Sequence, residues 1–169
     1  MKKSKGVSLI EGIIYMAIFI VISVAVINSL IIVLGSFGKA KLLSAIDYSG
    51  EAAMERMIRE TRMSYDVDSS FSVFGSNPGR LVLKKYISGG ATTTVDFYIN
   101  NGLLFVSEGG EAGETLIYSG VSVSNFTLNS ISSSTTSKAI KISLELMANR
   151  GDYQRTERFY DTAILRDSY

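Results

Sequence analysis

Between Lys5 and Lys39 the chain carries a single charged residue, Glu11, set in a run of apolar side chains. Elsewhere Asp, Glu, Ser and Thr are plentiful, but there is no His and no Cys. The commonest general base and the commonest transition-metal ligand are therefore both missing. With them go any Ser-His or Cys-His nucleophile pair, any thiolate metal site and any disulfide. No Gly-rich phosphate loop stands before a helix. The acids of Gly109–Glu114 lack the alternating Asp/Asn oxygens of a calcium loop, so this stretch reads as a solvated hairpin loop. These absences argue against an enzyme and against a bound cofactor or metal. The formal net charge of +1 gives no case for a nucleic-acid surface.

The element that positions Glu11 is a helix. From Gly12 to Gly38 no residue is charged, and a bilayer core of about 30 Å needs roughly 20 apolar residues in a helix. Lys2, Lys3 and Lys5 precede the run; without them Lys+Arg falls from 17 to 14 against 16 acids, a formal −2. A positive leader stays on the cytoplasmic side and places everything after Gly38 outside. An ordinary secretory signal has an apolar stretch of roughly 7–15 residues followed by a small-residue cleavage site. Here the run is longer and no such site follows. A plain signal anchor fits the run but leaves Glu11 unexplained. A carboxylate at the helix centre costs about 2.5–3.5 kcal/mol, less near the interface. The apolar segment offers it no charged partner. Cleavage after Gly6 would supply one, because Val7 would then carry a free α-ammonium near the depth of Glu11.

Lys5-Gly6 followed by Val7-Ser8-Leu9-Ile10-Glu11 resembles the cleavage and methylation motif of type IV prepilins and pseudopilins. The resemblance implies that a membrane prepilin peptidase cuts between Gly6 and Val7 and methylates the new N-terminus. The family more often has Phe where Val7 stands. The mature chain would have 169 − 6 = 163 residues, and Glu11 would take the place of the family's Glu in filament assembly.

Past Gly38, Leu42, Leu43, Ile46, Ala53, Met54, Met57 and Ile58 recur at helical spacing. Glu51, Glu55, Arg56, Arg59, Glu60 and Arg62 fill much of the opposite face, with i,i+4 pairs Glu55–Arg59 and Arg56–Glu60. One helix is expected from about Val7 to Tyr65, with flexing at Gly35 and Gly38. The remainder reads as strands: Phe71–Phe74, Arg80–Ile87, Thr93–Ile99, Leu103–Ser107, Thr115–Tyr118, Val121–Ile131 (one bent strand or two), Lys138–Met147 and Thr156–Leu165. Asn100-Asn101-Gly102 is a hairpin signal, and Ser132–Ser137 reads as a flexible loop. Tyr153, Tyr160 and Tyr169 read as half-buried packing residues.

The expected fold class is α+β: a long N-terminal helix, its first half membrane-spanning, packed on an antiparallel sheet, as the pilin-like resemblance also implies. The expected organisation is a leader (1–6), a hydrophobic helix (7–38) and an extracytoplasmic head (39–169). The head divides into an amphipathic helix over 39–65 and a sheet over 71–165. The resemblance implies a minor pilin or pseudopilin of a type IV pilus or type II secretion-like filament. The absence of a proline in the apolar run and of a Cys pair favours the minor type. Its partners would be prepilin peptidase, other pilin subunits and the cytoplasmic membrane. The alternative is an uncleaved single-pass anchor holding a small extracytoplasmic binding domain.

Overall fold

The computed structural model describes residues 8–132, 138–151 and 153–165. Gly6 and Val7, the leader, most of the Ser132–Ser137 loop, Asp152 and Tyr169 lie outside the described residues. The protein is α+β: helix α1 (Leu9–Met63) is followed by eight strands, β1 (Asp66–Val67), β2 (Leu81–Tyr86), β3 (Thr92–Asn100), β4 (Leu103–Glu108), β5 (Glu114–Thr115), β6 (Val121–Ser132), β7 (Lys138–Arg150) and β8 (Tyr153–Ile164). The chain falls into two compact units, Met1–Ala40 and Lys41–Tyr169, the second called the head below. Helix α1 is assigned without a break at Gly35 or Gly38.

The expected single sheet is two antiparallel sheets, ordered β1-β2-β3-β4-β5 and β6-β7-β8. They do not merge because, among the described residues, only isolated bonds reach β6 from the first sheet and its loops. Gly75 N–H donates to Leu128 O at 2.8 Å, Gly79 N–H to Phe126 O at 2.7 Å, and Val123 N–H to Gly102 O at 2.7 Å, while Asn77 Oδ1 accepts Phe126 N–H at 3.0 Å. Gly79 is suited to this approach, since a Cβ there would lie 3.1 Å from Phe126 O.

Strand periodicity sets the core. Leu81 and Leu83 of β2, Val95 and Phe97 of β3, and Leu104 and Val106 of β4 alternate onto one buried face. In β7 the same alternation buries Ile140, Ile142, Leu144, Leu146 and Ala148. Strand β6 buries Val121 but also Phe126 and Leu128, whose positions have the opposite parity. A register shift between Val123 and Asn125 reconciles them: one extra residue in the strand turns the later side chains to the same face. Val121–Ile131 is thus part of one strand with a bulge. The helix stripe completes the core with Leu42, Ile46, Ala53, Met54 and Met57, five of the seven positions expected from the spacing; Leu43 and Ile58 are half-buried.

Two expected strands are shorter than their sequence suggests. Phe71–Phe74 contributes only the bridge Val73↔Arg80, because the Asp68 carboxylate accepts Ser70 N–H at 3.1 Å and closes a turn. Thr115–Tyr118 leaves the sheet after Thr115, because Tyr118 N–H donates to Ser49 Oγ on α1 at 3.0 Å. The expected hairpin forms: Asn100 pairs with Leu103, and Asn101 and Gly102 both have positive φ, 50° and 73°, the backbone that an Asn-Gly two-residue turn adopts. Tyr153 packs against the core, but Tyr160 is 74% exposed rather than half-buried, since its position in β8 faces away from α1.

Two of the ion pairs that tie the strands involve carboxyls held below their ordinary pKa. Lys138 Nζ lies 2.6 Å from Asp66 Oδ1, joining β7 to β1, and Arg158 pairs with Glu145 across β7 and β8. Burial pushes the Asp66 carboxyl up, but the hydrogen bond from Lys138, the Val67 backbone and the charges of Lys138 and Lys84 together hold it below its ordinary 3.8. Hydrogen bonds from Arg158 and Ser124 hold Glu145 below its ordinary 4.5. A carboxyl whose folded pKa is depressed stabilises the fold above its ordinary value, and that stabilisation is lost as pH falls through the folded value. The midpoint of urea unfolding is therefore expected to be unchanged by these two groups between about pH 7 and pH 5 and to fall below about pH 4. The double variant Asp66→Asn, Glu145→Gln should show a smaller acid-side fall. Equal acid-side slopes in the two proteins would count against these pairs as its source.

Candidate assembly site on the N-terminal helix

Among the described residues one helix, α1, is long and apolar enough to cross a membrane. From Leu9 to Phe37 every large apolar side chain is exposed, the least of them Val33 at 45%. At 1.5 Å per residue the charge-free run is about 40 Å long, against about 30 Å for a bilayer core. Two of its serine hydroxyls bond back within the helix: Ser23 Oγ donates to Phe19 O at 2.8 Å and Ser36 Oγ to Ile32 O at 2.9 Å. Back-bonding of this kind hides polar atoms that lipid cannot solvate.

Glu11 lies in the first turn of α1. The turn opens at Ser8, whose carbonyl accepts the N–H of Glu11 at 3.0 Å and of Gly12 at 3.1 Å. Ser8 and Glu11 have the spacing of a capping box. A carboxylate in the first turn also faces the positive end of the helix dipole, worth about 0.3–1 kcal/mol. Its side chain is exposed, and Tyr15 Oη donates to Glu11 Oε1 at 3.1 Å. Tyr15 was not among the residues expected at this site. Its signal was available, because residues four apart on a helix are neighbours and side chains lean toward the N-terminus. A search for a charged partner passes over it, since the phenol is neutral. Gly6 and Val7 lie outside the described residues, so among the three expected site residues the structure places Glu11.

The head holds a second cluster of charge, and one member corrects the sequence reading. Glu60, expected on the solvated face of α1, is 2% exposed. Lys85 of β2 reaches it, Nζ to Oε2 3.1 Å, and also stands 3.5 Å from Glu108 Oε1 at the end of β4. Arg56 Nε stands 3.1 Å from Glu60 Oε1, close enough to pair charges but out of line for a hydrogen bond. Two cations and two anions thus balance in a clamp between the helix and the five-stranded sheet. Removing one cation of the set would leave the buried Glu60 carboxylate short of compensation. The other expected pair, Glu55–Arg59, is 4.0 Å apart and exposed. Among the described residues no group of three or more Asp or Glu is placed to hold a metal ion.

Compared with family models, with curated proteins and with solved structures, the chain matches none.

Proposed function

We propose that this protein is a membrane-held subunit of a pilus-like filament, cut between Gly6 and Val7 by a prepilin peptidase and assembled through its N-terminal helix. The observation that carries the reading is the first half of α1. It is apolar on every side, exposes all of its large side chains and bears one carboxylate in its first turn. A helix apolar all round needs lipid or other helices as its surroundings, and a lone carboxylate at its start needs a cation there. An α-ammonium at Val7 answers that need. The head then lies on the extracytoplasmic side, since Lys2, Lys3 and Lys5 hold the leader in the cytoplasm. The subunit is a minor pilin or pseudopilin, with prepilin peptidase, other pilin-like subunits and the cytoplasmic membrane as its partners.

Processing is tested by intact-mass analysis of the protein extracted from membranes of a host with active prepilin peptidase. The expected mass is that of a chain beginning at Val7 with one added methyl group. Retention of Met1–Gly6 would overturn the reading in favour of an uncleaved single-pass anchor carrying the head.

A further inference from the structure

The Glu11 carboxylate has two oxygens, and the structure engages one of them with a neighbouring hydroxyl. Tyr15 Oη donates to Glu11 Oε1 at 3.1 Å, and no other hydrogen bond or ion pair to this carboxylate occurs among the described residues. The phenol reaches back along the helix by one turn, as helical side chains lean. Donating its proton to Glu11 leaves lone pairs on the Tyr15 oxygen. Two acceptors then stand side by side, a carboxylate oxygen and a phenol oxygen, on the exposed surface of the first two turns.

We propose that Tyr15 is a positioning residue for the Glu11 carboxylate and completes with it a two-oxygen receptor for the α-ammonium of Val7 from a second copy of this chain. The inference rests on the filament reading above and extends it. An N-methylated α-ammonium retains two N–H donors. The Glu11 carboxylate takes one and the Tyr15 oxygen the other, so both donors are satisfied in surroundings where lipid offers no partner. The hydroxyl also fixes which carboxylate oxygen remains open. A single rotamer of Glu11 is thereby held before the neighbour arrives, and less freedom is lost on docking.

Tyr15→Phe tests this, since it keeps the ring and removes only the hydroxyl. The first measurement needs no filament. The full chain, labelled with 13C-Glu, is reconstituted in lipid bilayers, and the Glu11 carboxyl resonance is assigned by its absence from Glu11→Gln. Removing a hydrogen bond to the carboxylate should move that resonance, and an unmoved signal in Tyr15→Phe overturns the contact. The second measurement is the copy number of the subunit in sheared filaments relative to the membrane pool. Loss of one charge-assisted hydrogen bond predicts a drop of about tenfold. A moved resonance with wild-type incorporation overturns the positioning role and leaves the filament reading intact. Absence of the unaltered subunit from every filament preparation, with its leader retained, overturns the filament reading and this inference with it.

Discussion

Glu11→Ala is expected to leave membrane insertion, leader cleavage and the fold of the head unchanged while cutting incorporation into the filament by tenfold or more. Glu11 belongs to the unit Met1–Ala40 and lies outside the head's core, so folding of the head has nothing to lose by the substitution. Assembly does. In a bundle of such helices the N-termini sit away from water. A Glu11 carboxylate about 4 Å from a neighbour's ammonium gains about 4 kcal/mol at an effective dielectric of ~20, before desolvation is subtracted. The net gain is smaller, but an ammonium left there without a partner carries the full penalty of an unpaired charge. Only one axial stagger brings the two groups together, so the pair also sets register. Glu11→Gln separates charge from shape: it keeps side-chain size and one hydrogen-bond acceptor for Tyr15, and it replaces the charged carboxylate by a neutral amide. Quantitative blotting of sheared filaments reads both variants. Wild-type incorporation of Glu11→Ala would mean that Glu11 lies among headgroups and meets no neighbour's ammonium.

The largest effect expected on the head comes from Gly50. Glycine inside a helix ordinarily costs about 1 kcal/mol relative to Ala, so Gly50→Ala would stabilise an exposed position. At Gly50 the Phe159 ring of β8 occupies the space: a Cβ would lie 2.2 Å from Cε2 and from Cζ of that ring. The ring must leave its seat against the helix, and overpacking of this kind costs about 1–3 kcal/mol, occasionally more. Set against the gain in helix propensity, the net loss is up to about 2 kcal/mol, read as a lower urea midpoint for unfolding of the head in the full chain. A second substitution identifies the cause. With Phe159→Ala already in place the clash is gone, and Gly50→Ala should then be neutral or stabilising by up to about 1 kcal/mol. Equal losses in both backgrounds would show that the ring is not responsible.

Periodicity and charge alone were enough for the parts of this protein whose patterns are local. The charge-free run to Gly38, the stripe through Leu42, Ile46, Met54 and Met57, the Asn101-Gly102 hairpin and the long apolar alternation of β7 are local patterns, and local patterns are legible because each residue's surroundings are set by its near neighbours in sequence. The prominence of Glu11 was legible for the same reason: one charge in apolar sequence needs no structure to be noticed. Its hydrogen bond with Tyr15 was local too, at four residues' separation, and was hidden only by the phenol's neutrality.

What tertiary structure alone decided are the pairings between distant residues. Glu60 has the sequence environment of a solvated helix face, and it is buried because Lys85, 25 residues away, meets it there. Gly50 reads as a weak point in a helix and is a seat for a ring 109 positions further on. The division into two sheets depends on the loop around Asn77 and Gly79 lying along β6. The bulge after Val123 depends on which face of β6 the core demands. Each of these is a contact whose two halves are individually unremarkable, so no local pattern in the sequence announces it. The energy appears only when folding brings the halves within reach, because hydrogen bonds, ion pairs and close packing act over a few ångströms and carry no trace along the chain.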